Sequence, residues 1–246
     1  YKAIDHFYQI DESILQNAPI THHITLATYY RILLPKILPK DLEKILFLDS
    51  DIVVLDDIIA LWNTNIDNYY IAGCCEFPSN ERKIRLGMNI DSAYFNAGVI
   101  LINLNKWRAG NILSKCLDII NNQKEKIEYW DQDTLNIVFE NQWKQISHHW
   151  NVNHKFYLVP YSFEYFKISQ KEFETFRDTP GILHFAGSLK PWDYNDPHPK
   201  KEEYFRYLRN TPWKNFRPKY RSKTSILQLF RNKASSIKQK IKRIIN

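Results

Sequence analysis

The sequence is poor in methionine and cysteine and has no long run of apolar residues. Met88 is the one methionine among 246 residues, so we expect a further segment upstream of Tyr1. No apolar run is long enough to cross a bilayer and no secretory signal is recognisable, so nothing indicates a membrane span or export. The three cysteines, Cys74, Cys75 and Cys116, are odd in number and lack metal-ligand spacing. They are typical of reduced core residues in a cytoplasmic protein.

Acidic residues are missing from the end of the chain. Residues 217–246 contain ten Lys and Arg and no Asp or Glu, whereas the whole chain has 34 basic and 27 acidic residues. The remainder therefore carries 24 basic and 27 acidic residues, a balance of −3. This balance argues against nucleic acid as a partner. We divide the chain into a globular domain, residues 1–216, and a basic tail, residues 217–246.

Apolar residues recur at helical spacing between the cations of this tail. They are Ile226, Leu229, Phe230, Ile237, Ile241, Ile244 and Ile245. This pattern places apolar side chains on one helix face and cations on the other, as in helices that lie on an anionic membrane surface. A core-packing helix and a disordered basic end are the alternatives. The pattern favours a peripheral position on the inner face of the cell membrane.

Segments of strand and helix character alternate along the globular domain. Strands are predicted at 44–54 (KILFLDSDIVV), 69–77 (YYIAGCCEF), 94–107 (YFNAGVILINLNKW) and in the first part of 181–192 (GILHFAGSLKPW). Helices are predicted at 24–39, ending at Pro35 and Pro39, at 110–123 and at 131–143. This alternation predicts an α/β sheet whose ligand cleft lies beyond the carboxyl ends of its strands.

Two acids, Asp49 and Asp51, interrupt the first predicted strand. Residues two apart in a strand point to the same side, so these carboxylates would repel each other without a cation or access to water. Such a pair can bind a hard divalent cation and leave positions free for phosphates. A solvated strand end is the simpler interpretation of the pair taken alone.

The segment HFAGSLKP combines groups suited to phosphate binding. Gly187 permits a close backbone approach and Lys190 offers a positive charge. His184, considered by itself, is more typical of a hydrogen-bonded core histidine than of a metal ligand.

Four segments, LFLDSDIVV, YFNAGVILINLNKWR, WDQDTLN and HFAGSLKPW, occur in this order. Together they resemble the signature segments of glycosyltransferase family 8, in its bacterial lipopolysaccharide galactosyl- and glucosyltransferase branch. The resemblance covers roughly residues 25–192. It implies a GT-A (Rossmann-like) fold. It also implies retaining transfer of glucose or galactose from a UDP-sugar to a saccharide or glycolipid acceptor of a lipopolysaccharide or other surface glycan, with manganese or alternatively magnesium. Since the family opens with a strand and helix that bind uridine, we expect this chain's nucleotide pocket to be incomplete.

The resemblance also implies roles for individual residues. Asp49, Asp51 and His184 would bind the metal. Donor-binding residues would be Arg31, Ser50, Asn96, Ala97, Gly98, Gly187 and Lys190, with Gly98 leaving room for the sugar. Asp131 would contact sugar hydroxyls, and Gln132 would lie beside the anomeric carbon. Because an amide is a poor nucleophile, we favour a front-face displacement in which a leaving phosphate oxygen helps to deprotonate the acceptor.

Simpler roles remain open for several of these residues. Arg31 could lie on a helix surface, residues 96–98 could form a β-bulge, and Asp131 and Gln132 could cap a helix. Glu76 stands where the family usually has an aspartate, which changes the expected sugar contact. Residues 77–93 are expected to contact the acceptor.

Two other classes of function also remain open. A haloacid-dehalogenase-like phosphatase would use Asp49 as its nucleophile, but it leaves HFAGSLKPW unexplained. A non-catalytic membrane-bound adaptor is the other alternative.

Overall fold

The computed structural model describes residues 6–20, 25–157, 161–187, 190–193 and 196–217. Its strands are β1 (Lys44–Leu48), β2 (Ile52–Val54), β3 (Ile71–Glu76), β4 (Tyr94–Asn103), β5 (Trp143–Ile146), β6 (Val152–Asn153) and β7 (Ile182–His184). Its α-helices are α1 (Tyr30–Ile37), α2 (Ile59–Trp62), α3 (Asn80–Leu86), α4 (Leu104–Ala109), α5 (Ile112–Asn122), α6 (Trp130–Val138), α7 (Phe163–Phe166), α8 (Gln170–Asp178) and α9 (Lys201–Leu208). Apart from Arg217, the predicted basic tail lies outside the described residues.

The strands form two sheets, as expected for an α/β fold. The larger has the order β1-β4-β3-β5, with β4 antiparallel to β1 and β3, and β3 parallel to β5. The smaller has the order β2-β7-β6. Strand β4 is central in the larger sheet and buried along nearly all its length, which explains its unbroken apolar sequence.

One face of the larger sheet is covered by α1, α4, α5 and α6. Leu135 of α6, Phe139 at the C-terminal end of α6, Trp107 of α4 and Cys116 of α5 are completely buried in the cluster that joins these helices to the sheet. Burying a large apolar side chain contributes about 1.5–3 kcal/mol, so this cluster holds α6 against β4 and α1 against α4 and α5. Both α1 and α6 carry predicted site residues.

The segment from Lys44 to Val54 is not the single strand that the sequence predicted. β1 ends at Leu48 and β2 begins at Ile52 in the other sheet. The N–H of Asp49 donates to the carbonyl of Gly98 (2.9 Å), and the N–H of Phe185 donates to the carbonyl of Asp51 (2.9 Å). The two acids therefore lie on a connection whose ends are fixed by different sheets.

Three other predicted boundaries are wrong. β4 ends at Asn103, whose side chain accepts the N–H of Lys106 (2.9 Å) and begins α4 in place of a continuing strand. Helix α1 contains Pro35 and ends at Ile37. The helix predicted to reach residue 143 ends at Val138, and Trp143 instead starts β5 and packs edge-on against Phe95 of the sheet core.

Among the described residues, no helix combines the length and the apolar composition that crossing a bilayer requires.

Candidate active site

Asp49, Asp51 and His184 converge where the two sheets meet. The pairing of Ile52 in β2 with His184 in β7 brings the imidazole beside the acids. His184 Nε2 lies 3.3 Å from Asp51 Oδ1 and 3.9 Å from Asp49 Oδ2. One ligand atom from each of the three lies within 4.8 Å of the others. This arrangement matches the predicted metal-ligand set.

Asn151, which the sequence analysis did not single out, orients the imidazole of His184. Its Oδ1 lies 2.8 Å from His184 Nδ1, and both side chains are buried. Because an amide oxygen only accepts, Nδ1 donates to it, and Nε2 faces the acids as a ligand atom once it carries no proton. Two carboxylates and a neutral imidazole nitrogen fit a first-row divalent ion such as manganese. The sequence signal that could have identified Asn151 is its position as a polar residue directly before the short buried strand β6.

Gly98 lies in a β-bulge directly against two of the candidate metal ligands, His184 and Asp49. Gly73 of β3 pairs with Ile100, but the next residue pairs with Asn96, so residues 97–99 are extra residues on β4. A Cβ atom on Gly98 would lie 2.2 Å from His184 Cε1 and 2.9 Å from Asp49 Oδ2. The β-bulge considered as an alternative is therefore present, and the missing side chain of Gly98 makes room for the side chains of His184 and Asp49.

Arg31 is buried, so the alternative of a surface arginine is wrong. Its guanidinium lies 2.7 Å from Asp49 Oδ1 and 2.7 Å from Asp131 Oδ2, and it donates to the carbonyl of Ala97. The same group stacks 4.3 Å from the ring centre of Phe47. Arg31 therefore holds a candidate metal ligand and a candidate sugar-binding acid in fixed relative positions.

Asp131 has an unusual protonation equilibrium for a carboxyl group. Burial raises its pKa to about 6, with Arg31 lowering it and the charge of Asp49 raising it further. Thr28 Oγ1 donates to its Oδ1 at 2.8 Å. The carboxyl group of Asp131 is thus held at the cleft wall by its ion pair with Arg31 and its hydrogen bond from Thr28.

Gln132 and Asn96 share one carboxylate. Gln132 Nε2 lies 3.3 Å and Asn96 Nδ2 lies 3.1 Å from Glu76 Oε2. Gln132 Oε1 accepts the N–H of Ala97 at 3.0 Å, which ties α6 to the β4 bulge. Both amides are therefore fixed in orientation.

The other acid of the first turn of α6, Asp133, is structural. It is completely buried and accepts from Arg82 (2.5 Å), from the hydroxyl of Tyr94 (2.7 Å) and from the N–H groups of Glu128 and Tyr129 (2.8 and 2.7 Å). These bonds satisfy its carboxylate and fix the chain that enters α6.

Lys190 lies on the opposite side of Asp51. Its ammonium is 2.5 Å from Asp51 Oδ2 and donates to the carbonyl of Phe185 at 2.8 Å. Burial opposes ionisation of Asp51, but His184 and Lys190 outweigh it and keep the pKa of this carboxyl below its usual range. Lys190 thus adds positive charge beside the predicted metal site.

The candidate metal ligands, Arg31, Asp131, Gln132 and Lys190 line a cleft with a volume of about 810 Å³. Every predicted site residue except Ser50 and Gly187 contributes to its wall. Ser50 is exposed on the loop between β1 and β2, so its donor-binding role and that of Gly187 stay predictions. The predicted acceptor segment contributes Phe77, Pro78, Ser79, Glu81, Arg82 and Arg85 to the same cleft.

A family model described as glycosyl transferase family 8 matches residues 1–196. General stress protein A of Bacillus subtilis is 31% identical over 210 residues, which are 84% of this chain and 73% of that protein. Lipopolysaccharide 1,3-galactosyltransferase of Salmonella typhimurium is 29% identical over 213 residues, 84% of this chain but only 61% of that protein. The crystal structure of the galactosyltransferase LgtC with donor and acceptor sugar analogs matches with a TM-score of 0.73 at 25% identity, covering 84% of this chain and 75% of that one.

Proposed function

Since the chain belongs to glycosyltransferase family 8 and has the GT-A fold, we propose that it transfers a hexose, glucose or galactose, from a UDP-sugar to a saccharide or glycolipid acceptor of a surface glycan. We further propose that the transfer is metal-dependent and retains the anomeric configuration. The family match leaves the phosphatase and adaptor alternatives without support.

One observation carries this proposal. A ligand set of two carboxylates and one imidazole, Asp49, Asp51 and His184, shares a single cleft with a fixed amide, Gln132, and a buried acid, Asp131. The first group suits a metal ion that binds a diphosphate, and the second suits recognition of a sugar. A nucleotide sugar has both parts.

Asp49, Asp51 and His184 would hold a manganese ion, which acts as a Lewis acid on a diphosphate when bound. Lys190 supplies a further positive charge for that diphosphate. Arg31 holds Asp131 at the wall where a donor sugar would present its hydroxyl groups. Gln132 is fixed by Ala97 and Glu76 and can accept or donate a hydrogen bond without forming a covalent bond.

A front-face displacement fits these groups. Asp131 is held by Arg31, and Gln132 is a poor nucleophile, so no free carboxylate is assigned to attack the anomeric carbon from behind. We therefore assign proton removal from the acceptor hydroxyl to an oxygen of the leaving diphosphate. The first-formed product, examined by NMR, should have the α configuration of the donor. A β product would contradict this mechanism.

The metal assignment can be tested by UDP binding to the full-length protein. Asp49→Ala, Asp51→Ala and His184→Ala should each abolish the manganese-dependent part of UDP binding in calorimetry, because each removes a ligand. The exposed acid Asp41 lies outside the cleft, so Asp41→Ala is the matched control. Unchanged metal dependence in one of the three variants would remove that residue from the ligand set.

A screen of UDP-sugars with the full-length protein tests the reaction itself. UDP-glucose and UDP-galactose are each incubated with manganese, and release of UDP is measured. Release with one of the two donors, lost in the His184→Ala variant, is the expected result. Release of phosphate from simple phosphomonoesters would favour the phosphatase alternative instead.

We also propose that the basic tail, residues 217–246, binds an anionic membrane at the inner face of the cell membrane. Trp213 and Phe216 immediately precede it and are 71% and 39% exposed, as expected of aromatic side chains at a membrane interface. Each cation near an anionic surface contributes about 1 kcal/mol. A transferase that elongates a lipid-linked glycan gains from lying on the leaflet that holds its acceptor.

Liposome sedimentation tests this localisation. The whole chain should sediment with anionic but not neutral liposomes, and binding should weaken as salt rises, because the Debye length falls to about 3 Å at 1 M. A chain that ends at Phe216 should stay in solution. Equal sedimentation of both chains would exclude the tail as the anchor.

A further inference from the structure

A lysine outside the four signature segments lies in the wall of the cleft. Lys155 is in the short 3-10 helix His154–Tyr157 that follows β6, and its ammonium forms an ion pair with Glu76 Oε1. The hydroxyl of Tyr165 lies 3.1 Å from the same ammonium. The two charged side chains are 19% and 16% exposed, so the pair is largely removed from water.

The carboxylate of Glu76 is occupied by three donors of the chain itself. Oε1 accepts from Lys155, whereas Oε2 accepts from Asn96 and from Gln132. A direct bond to a donor sugar would have to displace one of these groups. Glu76 is therefore placed to act on its neighbours, and only Oε2 reaches the amides at the reacting end of the cleft.

Two acceptors hold the Nε2 group of Gln132: Glu76 Oε2 at 3.3 Å and the hydroxyl oxygen of Tyr94 at 3.2 Å. With Nε2 directed at Glu76, Oε1 accepts the N–H of Ala97. If Glu76 were protonated, Gln132 would lose one of these two acceptors, and the amide would be held less firmly in the orientation that bonds Ala97. A buried carboxylate stays ionised only when a cation or several donors compensate its burial.

We propose that Lys155 is a positioning residue, which keeps Glu76 an ionised acceptor and thereby fixes the amides of Gln132 and Asn96 toward the donor sugar. The positioning of the amides stands on the contacts of this chain alone, whereas the role toward the sugar rests on the proposed function. Lys155 touches neither the metal ligands nor Gln132 in this arrangement and acts through Glu76.

Among the charged groups around Glu76, Lys155 is the one placed to keep its carboxylate ionised. The titratable and charged groups that face Glu76 or its ion pair are Arg82, Tyr94, His148, His154, Lys155, Tyr161 and Tyr165. Burial lowers the pKa of His148 to about 4, and burial with the charge of Lys155 lowers that of His154. Arg82 is bound to Asp133. Burial alone would raise the pKa of Glu76, but Lys155, the hydrogen bonds and Arg82 together hold it below its usual range.

The pH dependence of transfer separates positioning from a purely structural role. Without the ammonium in Lys155→Met, burial should raise the pKa of Glu76, so a larger fraction of the acid is protonated at low pH and this fraction falls as the pH rises. We expect kcat to fall by roughly 10- to 100-fold at pH 6, to recover toward pH 8, and the donor KM to change less. Lys155→Arg should restore the wild-type profile.

Two further variants distinguish loss of positioning from a folding defect. The double variant Lys155→Met/Glu76→Gln has no carboxyl group at position 76 that could titrate or remain as an uncompensated buried charge. Its activity should therefore lack the pH dependence that Lys155→Met alone introduces. Lys144 lies on β5 outside the cleft and donates to the carbonyl of Asn65, so Lys144→Met is the matched control. A Lys155→Met profile parallel to that of the wild type at every pH would overturn the proposal.

Side-chain amide NMR tests the positioning without any donor. The 15N-labelled amide group of Gln132 is assigned from its loss in Gln132→Glu. In Lys155→Met its signals should shift and titrate between pH 5 and 8, and in wild type and Lys155→Arg they should stay constant. Identical, non-titrating signals in all three would overturn the positioning. The Gln132 amide signals could respond as expected although the protein transfers no sugar. That result would support the positioning role of Lys155 and refute the proposed function.

Discussion

Substituting alanine for Gly98 tests whether the β4 bulge serves the metal ligands. The added Cβ would lie 2.2 Å from His184 Cε1 and 2.9 Å from Asp49 Oδ2. Ordinary contacts between carbon atoms are about 3.5–4.0 Å, so the imidazole would have to move by roughly 1 Å or more. His184 is 3% exposed and bonded to Asn151, so the space behind it is filled.

The expected cost has two parts. Adding a methyl group to a packed site destabilises a protein by about 1–3 kcal/mol, which for a chain of this size lowers the Tm by about 2–4 °C for each kcal/mol. Ligand atoms must lie within about 0.2 Å of their ideal distances from a metal. Displacing Nε2 by several times that amount should weaken manganese binding by about 10- to 100-fold or more.

Manganese titration by calorimetry and thermal unfolding in EDTA measure the two parts separately. Gly73→Ala is the matched control, because the Cβ of residue 73 would meet its nearest neighbours at 3.4–3.5 Å, an ordinary contact. This control should leave manganese affinity unchanged. Wild-type affinity in Gly98→Ala would show that the imidazole need not move, and it would refute the argument.

Three further predictions concern groups around this site. Asn151→Leu removes the acceptor that sets the His184 tautomer, so manganese affinity should fall by about 10- to 100-fold in the same titration; an unchanged affinity would remove Asn151 from the site. Asp131 has a folded pKa of about 6 against 3.8 in the unfolded chain, so its contribution to stability is present below pH 4 and lost as the pH rises through 6. Urea unfolding in EDTA should therefore show Asp131→Asn gaining up to about 3 kcal/mol on wild type between pH 4 and 7, and a constant difference would contradict the shift. Asp133→Ala should cost about 3–5 kcal/mol of unfolding free energy at pH 7, because it leaves Arg82 buried without its partner; a loss below 1 kcal/mol would contradict a structural role.

The local sequence was enough to predict the class of fold and the centre of the site. Apolar periodicity predicted the cores of β1, β3, β4, α5 and α6, since it reports which residues face the interior. The spacing of Asp49 and Asp51, with His184 placed by the resemblance, named a ligand set that the structure brings together. Boundaries were less predictable, because a strand that stops at Leu48 to join a second sheet has the same apolar pattern as one that continues to Val54.

Only the tertiary structure decided which charges compensate one another. Asp131 and Asp133 are two residues apart and look alike in sequence, yet Asp131 pairs with the buried Arg31, whereas the completely buried Asp133 pairs with Arg82 of the cleft wall. The partners of these buried charges come from distant parts of the chain: Lys155 is 79 residues from Glu76. Local pattern carries no information on such pairs, because burial, and hence the need for a partner, arises only when separate elements pack together.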